Sequence, residues 1–312
     1  MTMPDRYSVG IVGARGHTGA ELVRLILDHP SLRLVFAGSR ELAGKPVPGD
    51  AGLVYESIGP DDLSTRAADV SILALPDGAS DPYVTAIGRD RVIIDVSADH
   101  RFDDDWVYGL PELFRDKMQG ASRIANPGCY ATAMQIALAP LLDVALGVPA
   151  VFGVSGYSGA GTTPGPRSDP DRLLDNLMPY KLVGHNHEKE AVRQLGRPIR
   201  FMPHVHPAFR GLIVTAHVPL VTGMSTNEVK VRFENRYGSE PLIEIRDEIP
   251  ELRDGAGHPG VIIGGFDTSA DGLNAVVVAA EDNLLKGAAV QVVQNLNLAV
   301  GLPELDGLVV RR

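Results

Sequence analysis

Residues 7–22 read YSVGIVGARGHTGAEL. A short β-branched run, Tyr7–Val12, gives way to glycines at 10, 13, 16 and 19. The apolar stripe of AELVRLILDH (20–29) follows and is stopped by Pro30. Strand, glycine-rich turn and helix in that order suit a dinucleotide. Glycines let the backbone turn tightly and approach a pyrophosphate, which rests on the helix N-terminus. The spacing is G-x-x-G-x-x-G rather than G-x-G-x-x-G, so the flanking strand and helix carry the reading.

Further along, LRLVFAG (32–38), DVSILALP (69–76) and RVIIDVSA (91–98) are apolar on both faces, with a helix-compatible segment between the last two. Such strands alternating with helices predict an α/β fold with a parallel sheet covered on two sides. The second strand leads into Ser39 and Arg40, with Lys45 nearby, where NAD-binding chains place a carboxylate for the ribose. That favours the extra phosphate of NADP. A buried helix is expected over YATAMQIALAPLL (130–142).

After about residue 150 the texture changes. VSGYSGAGTTPGPRSDP (154–170) reads as a long loop, which in a compact domain is usually functional or disordered. RGLIVTAHVPL (210–220) and NAVVVAAE (274–281) read as strands of an α+β unit. Between them STNEVKVRFENRYG (225–238) starts a helix with a capping box, Ser225 and Glu228. DNLLKGAAVQVVQNLNLAVGL (282–302) predicts one long closing helix.

Among 312 residues, 29 Lys and Arg oppose 39 Asp and Glu, a formal net charge of −10. That argues against nucleic acid as a partner, while a local cluster of cations still admits an anionic small molecule. Hydrophobic residues make up 44%, ordinary for a soluble globular chain. No run approaches the roughly 18 apolar residues of a membrane span, and no basic segment leads into an apolar leader. With one cysteine and no internal disulfide, the expectation is a cytoplasmic protein.

That cysteine stands in NPGCYAT (126–132). Proline and glycine break the chain just before the helix, so Cys129 falls at or near its first turn, where unpaired N–H groups and the dipole favour a thiolate. A thiolate attacks acyl carbons, and backbone N–H groups can hold the oxyanion that results. Beside a nicotinamide this suggests a thioester that accepts hydride. Two H-x-H pairs, His185 with His187 and His204 with His206, supply candidate acids or bases, with Glu190 to orient one of them. Arg210 offers a fork for a carboxylate. Either pair on a strand could also chelate zinc, a rival hydrolase reading, but no third ligand of recognisable spacing accompanies them and no metal site is expected.

Taken together, these residues resemble the N-acetyl-gamma-glutamyl-phosphate reductase family of the aspartate-semialdehyde dehydrogenase superfamily. The resemblance runs nearly end to end. It takes in GARGHTGAELVRLIL (13–27), LALPDGAS (73–80), IDVSADHRF (94–102), YGLPEL (108–113), NPGCYATA (126–133), SGYSGAG (155–161), GHNHEKE (184–190), PHVHPAFRG (203–211) and DNLLKGAAVQVVQNLN (282–297). It implies a Rossmann domain for NADP(H), 1–152 and 283–312, with an α+β domain for substrate and oligomer contacts, 153–282, inserted before the final helix. By the same resemblance Cys129 is the nucleophile, His185 the acid/base, His187 a substrate contact and Glu190 their support. Substrate contacts are expected at Asn126, Ser155, Gly156, Ser158, Gly159, His204 and Arg210. Cofactor contacts are expected at Gly13, Arg15, Gly16, His17, Thr18, Gly19, Ser39, Arg40, Pro76, Ser97 and Asn283. The implied substrate is a small acyl phosphate, N-acetyl-gamma-glutamyl phosphate first and aminoadipyl or aspartyl phosphate as alternatives. The implied assembly is a homodimer or homotetramer. GAGTTPGPRS (159–168) departs from relatives, which more often carry a basic residue soon after the second glycine.

Overall fold

The computed structural model describes residues 6–308. Its contacts divide the chain into two units, one of the residues up to Pro127 and from Ala288 onward, the other Gly128–Gly287. The division falls at 127/128 and 287/288 rather than at 152/153 and 282/283. The reason is that the helix Cys129–Leu138 packs on strands of the second sheet.

The first unit holds β1 (Tyr7–Val12), β2 (Leu32–Gly38), β3 (Pro46–Val47), β4 (Asp50–Glu56), β5 (Val70–Leu73), β6 (Val92–Asp95), β7 (Val107–Tyr108) and β8 (Arg123–Ala125). They form one sheet in the order β3-β4-β2-β1-β5-β6-β8-β7. β1 pairs in parallel with β2 on one side and β5 on the other, so the strand order reverses there, where open α/β sheets bind ligands. The predicted strands 69–76 and 91–98 are each trimmed to four residues, the rest forming the loops beyond their carboxyl ends. β5 is buried along its whole length, as a strand covered on both faces requires. The helix His17–Leu27 buries Leu22, Val23, Leu25 and Ile26. The closing helix is shorter than expected, Val290–Val300, preceded by a π-helical turn Leu285–Ala289. Its buried Asn295 donates to the carbonyls of Gly109 (2.9 Å) and of the Asn126 side chain (3.1 Å), and Asn297 to those of Glu304 and Asp306.

The second unit holds β9 (Ala150–Gly156), β10 (Met178–Pro179), β11 (Arg200–His206), β12 (Leu212–Pro219), β13 (Ile243–Ile245), β14 (Val261–Thr268) and β15 (Asn274–Glu281). These form a mixed sheet ordered β10-β11-β9-β12-β15-β14-β13. The expected long loop is a strand as far as Gly156, then a 3-10 turn Tyr157–Ala160. In β12 the residues Leu212, Val214, Ala216 and Val218 are buried while those between them are less so, the alternation of a sheet covered on one face. The helices Cys129–Leu138 and Thr226–Tyr237 pack on this sheet, and Asn186–Leu195 packs beside the first of them. Ser225 and Glu228 close the predicted capping box, each side chain accepting from the other's backbone N–H. No described helix is long and apolar enough to cross a membrane.

Candidate active site

In the first unit the glycine turn is fixed by sterics. Gly13 has φ +90°, and a Cβ there would lie 2.1 Å from the Ala74 carbonyl oxygen. The N–H groups of Gly13 and Ala14 both donate to the Gly38 carbonyl, tying the turn to the end of β2. A Cβ on Gly19 would fall 2.3 Å from the Gly13 oxygen, so the helix lies this close only with glycine. That helix begins after Gly16 with no side-chain cap and no acidic residue in its first turn, which leaves its positive end fit for a phosphate. These features fit a dinucleotide's pyrophosphate.

The remaining cofactor candidates separate. Arg15, His17 and Thr18 lie in the turn and at the helix start, Arg15 paired with Glu41 at 2.8 Å. Arg40 is exposed just beyond β2. Ser39 is buried, its N–H donating to the Glu56 carbonyl and its Oγ accepting from the Leu42 N–H. Pro76 is exposed beyond β5. Ser97 instead belongs to a buried cluster. Its Oγ donates to Asp95, which also accepts from Ser80 and lies 2.7 Å from Nδ1 of His100. Asn126, expected to touch substrate, is fully buried and anchored: its N–H donates to the Asp95 carbonyl and its own carbonyl accepts from Nε of Arg101.

In the second unit Cys129 is the first residue of the helix Cys129–Leu138, half-buried, with Gly128 as N-cap. Buried Glu190 accepts the Gly128 N–H at 3.0 Å, fixing the residue before the sulfur. On the other side the Tyr130 hydroxyl donates to the His204 carbonyl at 2.7 Å, and its ring meets Phe201 at 4.8 Å and His185 at 6.3 Å. His185 is the N-cap of the helix Asn186–Leu195, and its Nδ1 accepts the His187 N–H at 3.1 Å. The two imidazoles stand 4.8 Å apart. Burial first, then His187 and Lys181, push the His185 pKa down to about 3, with Glu190 opposing. Burial also raises the hydroxyl pKa of Tyr130 and Tyr180, and charge on Cys129 adds to both shifts.

The other pair, His204 and His206, shares one face of β11. Phe201 and His204 point to opposite faces of β11, and His204 packs at a tilt against Phe152 at 4.4 Å, on the face away from Tyr130. Ser155, Gly156, Ser158 and Gly159 form a tight corner. Asn283 donates to Oγ of Ser158 and accepts the Gly211 N–H, and a Cβ on Gly156 would collide with the Ala208 and Phe209 carbonyls at 2.7 Å. Arg210 reaches buried Asp282 at 3.3 Å, while the burial of Asp282 raises its pKa.

Three neighbours were invisible in the sequence. Tyr180 meets the His185 ring at 5.5 Å, the Arg167 guanidinium lies 4.6 Å over Tyr180, and Lys181, at φ +40°, sends its ammonium to Asn186. Arg167 belongs to the Gly/Pro-rich segment 159–168, which was its only available signal, while Lys181 lies beyond that segment and carried none. Among the described residues no group of three or more His, Cys, Asp or Glu side chains could hold a metal ion. His185 and His187 open a helix rather than sharing a strand face, so the geometry assumed for a zinc pair is not present there.

Comparison with known proteins matches residues 8–121 to the NAD-binding domain of semialdehyde dehydrogenases and 129–283 to their dimerisation domain. The N-acetyl-gamma-glutamyl-phosphate reductase of Xanthomonas campestris pv. campestris (strain 8004) is 53% identical over 309 residues, 96% of this chain and 98% of its own. That of Stenotrophomonas maltophilia (strain R551-3) is 50% identical over 310 residues, 97% and 98%. In fold the chain is similar to aspartate semialdehyde dehydrogenase II of Vibrio cholerae, with a TM-score of 0.78 at 20% identity over 96% of this chain and 99% of that one.

Proposed function

The chain belongs to the N-acetyl-gamma-glutamyl-phosphate reductase family of the semialdehyde dehydrogenases, and on that premise we propose that Cys129 is the nucleophile of its reaction. It reduces N-acetyl-gamma-glutamyl phosphate to N-acetylglutamate 5-semialdehyde and phosphate, a step of arginine biosynthesis, with NADP(H). The observation that carries the assignment is the placement of the chain's one cysteine at the first position of a ten-residue helix, half-exposed and held on both sides by backbone bonds.

The helix dipole favours the thiolate that attack requires. Cys129 Sγ bonds to the acyl carbon, the C–O bond breaks with its electron pair going to phosphate, and phosphate takes its proton from water. The N–H groups that open the helix face the charge that gathers on the acyl oxygen. Arg167 and Lys181 supply positive charge for the phosphate, and Arg210 for a carboxylate. NADPH, when bound, supplies the hydride that brings the thioester to the aldehyde level. Cys129 then leaves as thiolate when its C–S bond breaks. Gly13, Arg15, Gly16, His17, Thr18 and Gly19 would hold the pyrophosphate, with Arg40 nearest the 2′-phosphate. The enzyme works in the cytoplasm as a homodimer or homotetramer.

Cys129→Ser is expected to bind NADP(H) normally and to lose turnover by roughly 10³-fold or more, as removal of a nucleophile does. The assay is phosphate-dependent NADP reduction with N-acetylglutamate, aminoadipate and aspartate semialdehydes. Near-normal turnover in the variant defeats the assignment, and preference for another semialdehyde reassigns the substrate.

A further inference from the structure

We propose that Asn295 is a positioning residue for this reaction: it holds Asn126, and through Pro127 and Gly128 the place from which Cys129 acts. The inference rests on Cys129 being the nucleophile, and its test separates the two.

Three of the stretches that carry the family resemblance meet on this one side chain, and the chemistry above uses none of its contacts. Asn295 stands in QNLN (294–297) of the closing helix, Gly109 in YGLPEL (108–113) and Asn126 in NPGCYATA (126–133). Asn295 is fully buried, and so are Val292, Val293 and Leu296 beside it on the helix. An amide in such a place costs free energy unless it is hydrogen-bonded. Its Nδ2 donates both hydrogens, one to the Gly109 carbonyl at 2.9 Å and one to Oδ1 of Asn126 at 3.1 Å. Its Oδ1 accepts from Nε2 of Gln291 at 3.3 Å. A backbone carbonyl only accepts, so the atom facing Gly109 is the nitrogen and the amide has one orientation. A Cβ on Gly109 would lie 2.3 Å from that nitrogen, so this close approach needs glycine.

The orientation of Asn126 follows. With its oxygen turned to Asn295, its Nδ2 faces the Pro127 carbonyl at 3.4 Å. Its N–H donates to the Asp95 carbonyl and its own carbonyl accepts from Nε of Arg101, both at 2.8 Å. All four polar groups of this fully buried residue are therefore held.

The restraint passes along the chain. The Pro127 ring fixes its own φ. Glu190 accepts the Gly128 N–H at 3.0 Å, and Cys129 follows as the first residue of its helix. Asn295 is the donor that orients the Asn126 side chain. A leucine in its place fills similar space but leaves the Gly109 carbonyl and Asn126 Oδ1 without that donor. Buried groups deprived of a partner are costly, and Asn126 turns to find another. Only two residues separate that turn from Cys129.

Asn295→Leu is expected to lower kcat by about 10–10²-fold, the loss that follows a small misplacement of a reacting atom, with KM and the Kd for NADP(H) within about twofold. A residue that served stability alone would lower the thermal midpoint and leave kcat per folded molecule unchanged, and that result overturns the proposal. A double-mutant cycle locates the path. If Asn295 acts through Asn126, adding Asn295→Leu to Asn126→Ala costs no more than about twofold beyond Asn126→Ala alone. Losses that multiply overturn it. Alkylation of Cys129 by iodoacetamide, followed by mass, needs no turnover and is expected to slow by about three- to tenfold in Asn295→Leu, as the thiol leaves its place at the helix start. An unchanged alkylation rate also overturns the proposal, while the Cys129→Ser assay decides separately whether that residue is the nucleophile. Circular dichroism checks that each variant folds. Where the leucine variant does not, Asn295→Ser takes its place under the same criteria.

Discussion

A methyl group at position 287 would sit 2.7 Å from Cβ of Cys129 and 2.8 Å from Oε1 of Glu281. Neither neighbour yields easily, since Glu281 is fully buried and Cys129 begins a helix packed on the sheet. Gly287→Ala is therefore expected to displace the proposed nucleophile while costing the fold only the about 1–3 kcal/mol of overpacking. A shift of about 1 Å at a reacting atom removes on the order of 10²-fold in rate. Turnover and the rate of iodoacetamide alkylation should both fall while the thermal midpoint moves by a few degrees; full turnover with normal alkylation would show that the sulfur has room to spare. Cys129 was legible in the sequence because its cues are local: Pro127 and Gly128 break the chain and an apolar helix follows. Tyr180, Arg167 and Lys181 were not. They reach the sulfur's surroundings through tertiary folding, and no period or spacing ties a loop residue to a distant helix start.

Among the elements, legibility followed turn chemistry. β1 and the glycine turn appear as read, and the helix read over 20–29 forms as His17–Leu27, because glycine spacing and apolar runs are properties of a short window. β9 and β11 were hidden for physical reasons. β11 carries Pro203, which normally argues against an inner strand, yet it lies between β9 and the two-residue β10. β9 carries Gly153, whose missing Cβ makes room for the rings of Tyr130 and Phe201 at 2.7 Å. Tertiary packing, not propensity, set both strands. The capping box at Ser225 was read correctly, and it offers a clean contrast with the site residues. Ser225 is exposed, and its Oγ accepts only from the Glu228 N–H that it caps. Ser225→Ala should lower stability by about 1 kcal/mol, the usual worth of an N-cap, with kcat unchanged. Urea unfolding alongside the standard assay measures this, and a loss of activity would mean that the helix Thr226–Tyr237 takes part in the site.

For the molecule as a whole, the second sheet raises the question of what covers its other face. Phe152, 38% exposed, packs there at a tilt against His204, and the same face carries Ile213, Thr215 and His217 of β12. The helices of this unit pack on the opposite, buried positions. Five neighbouring strands, β11, β9, β12, β15 and β14, are seven or eight residues long. At about 4.8 Å between strands and about 3.3 Å per residue, they span roughly 600 Å². Side chains bring that near the ~800 Å² per partner of a standard interface. A sheet face on a second copy of the chain is the natural cover, since two such faces pack about 10 Å apart with their side chains interleaved. Placing a carboxylate at the centre of that contact would bury an unpaired charge, which costs several kcal/mol. Phe152→Glu should therefore sediment as a smaller species at micromolar concentration, with the wild-type chain at least dimeric. If the variant keeps the wild-type sedimentation coefficient, the subunits meet through another surface and this face serves something else.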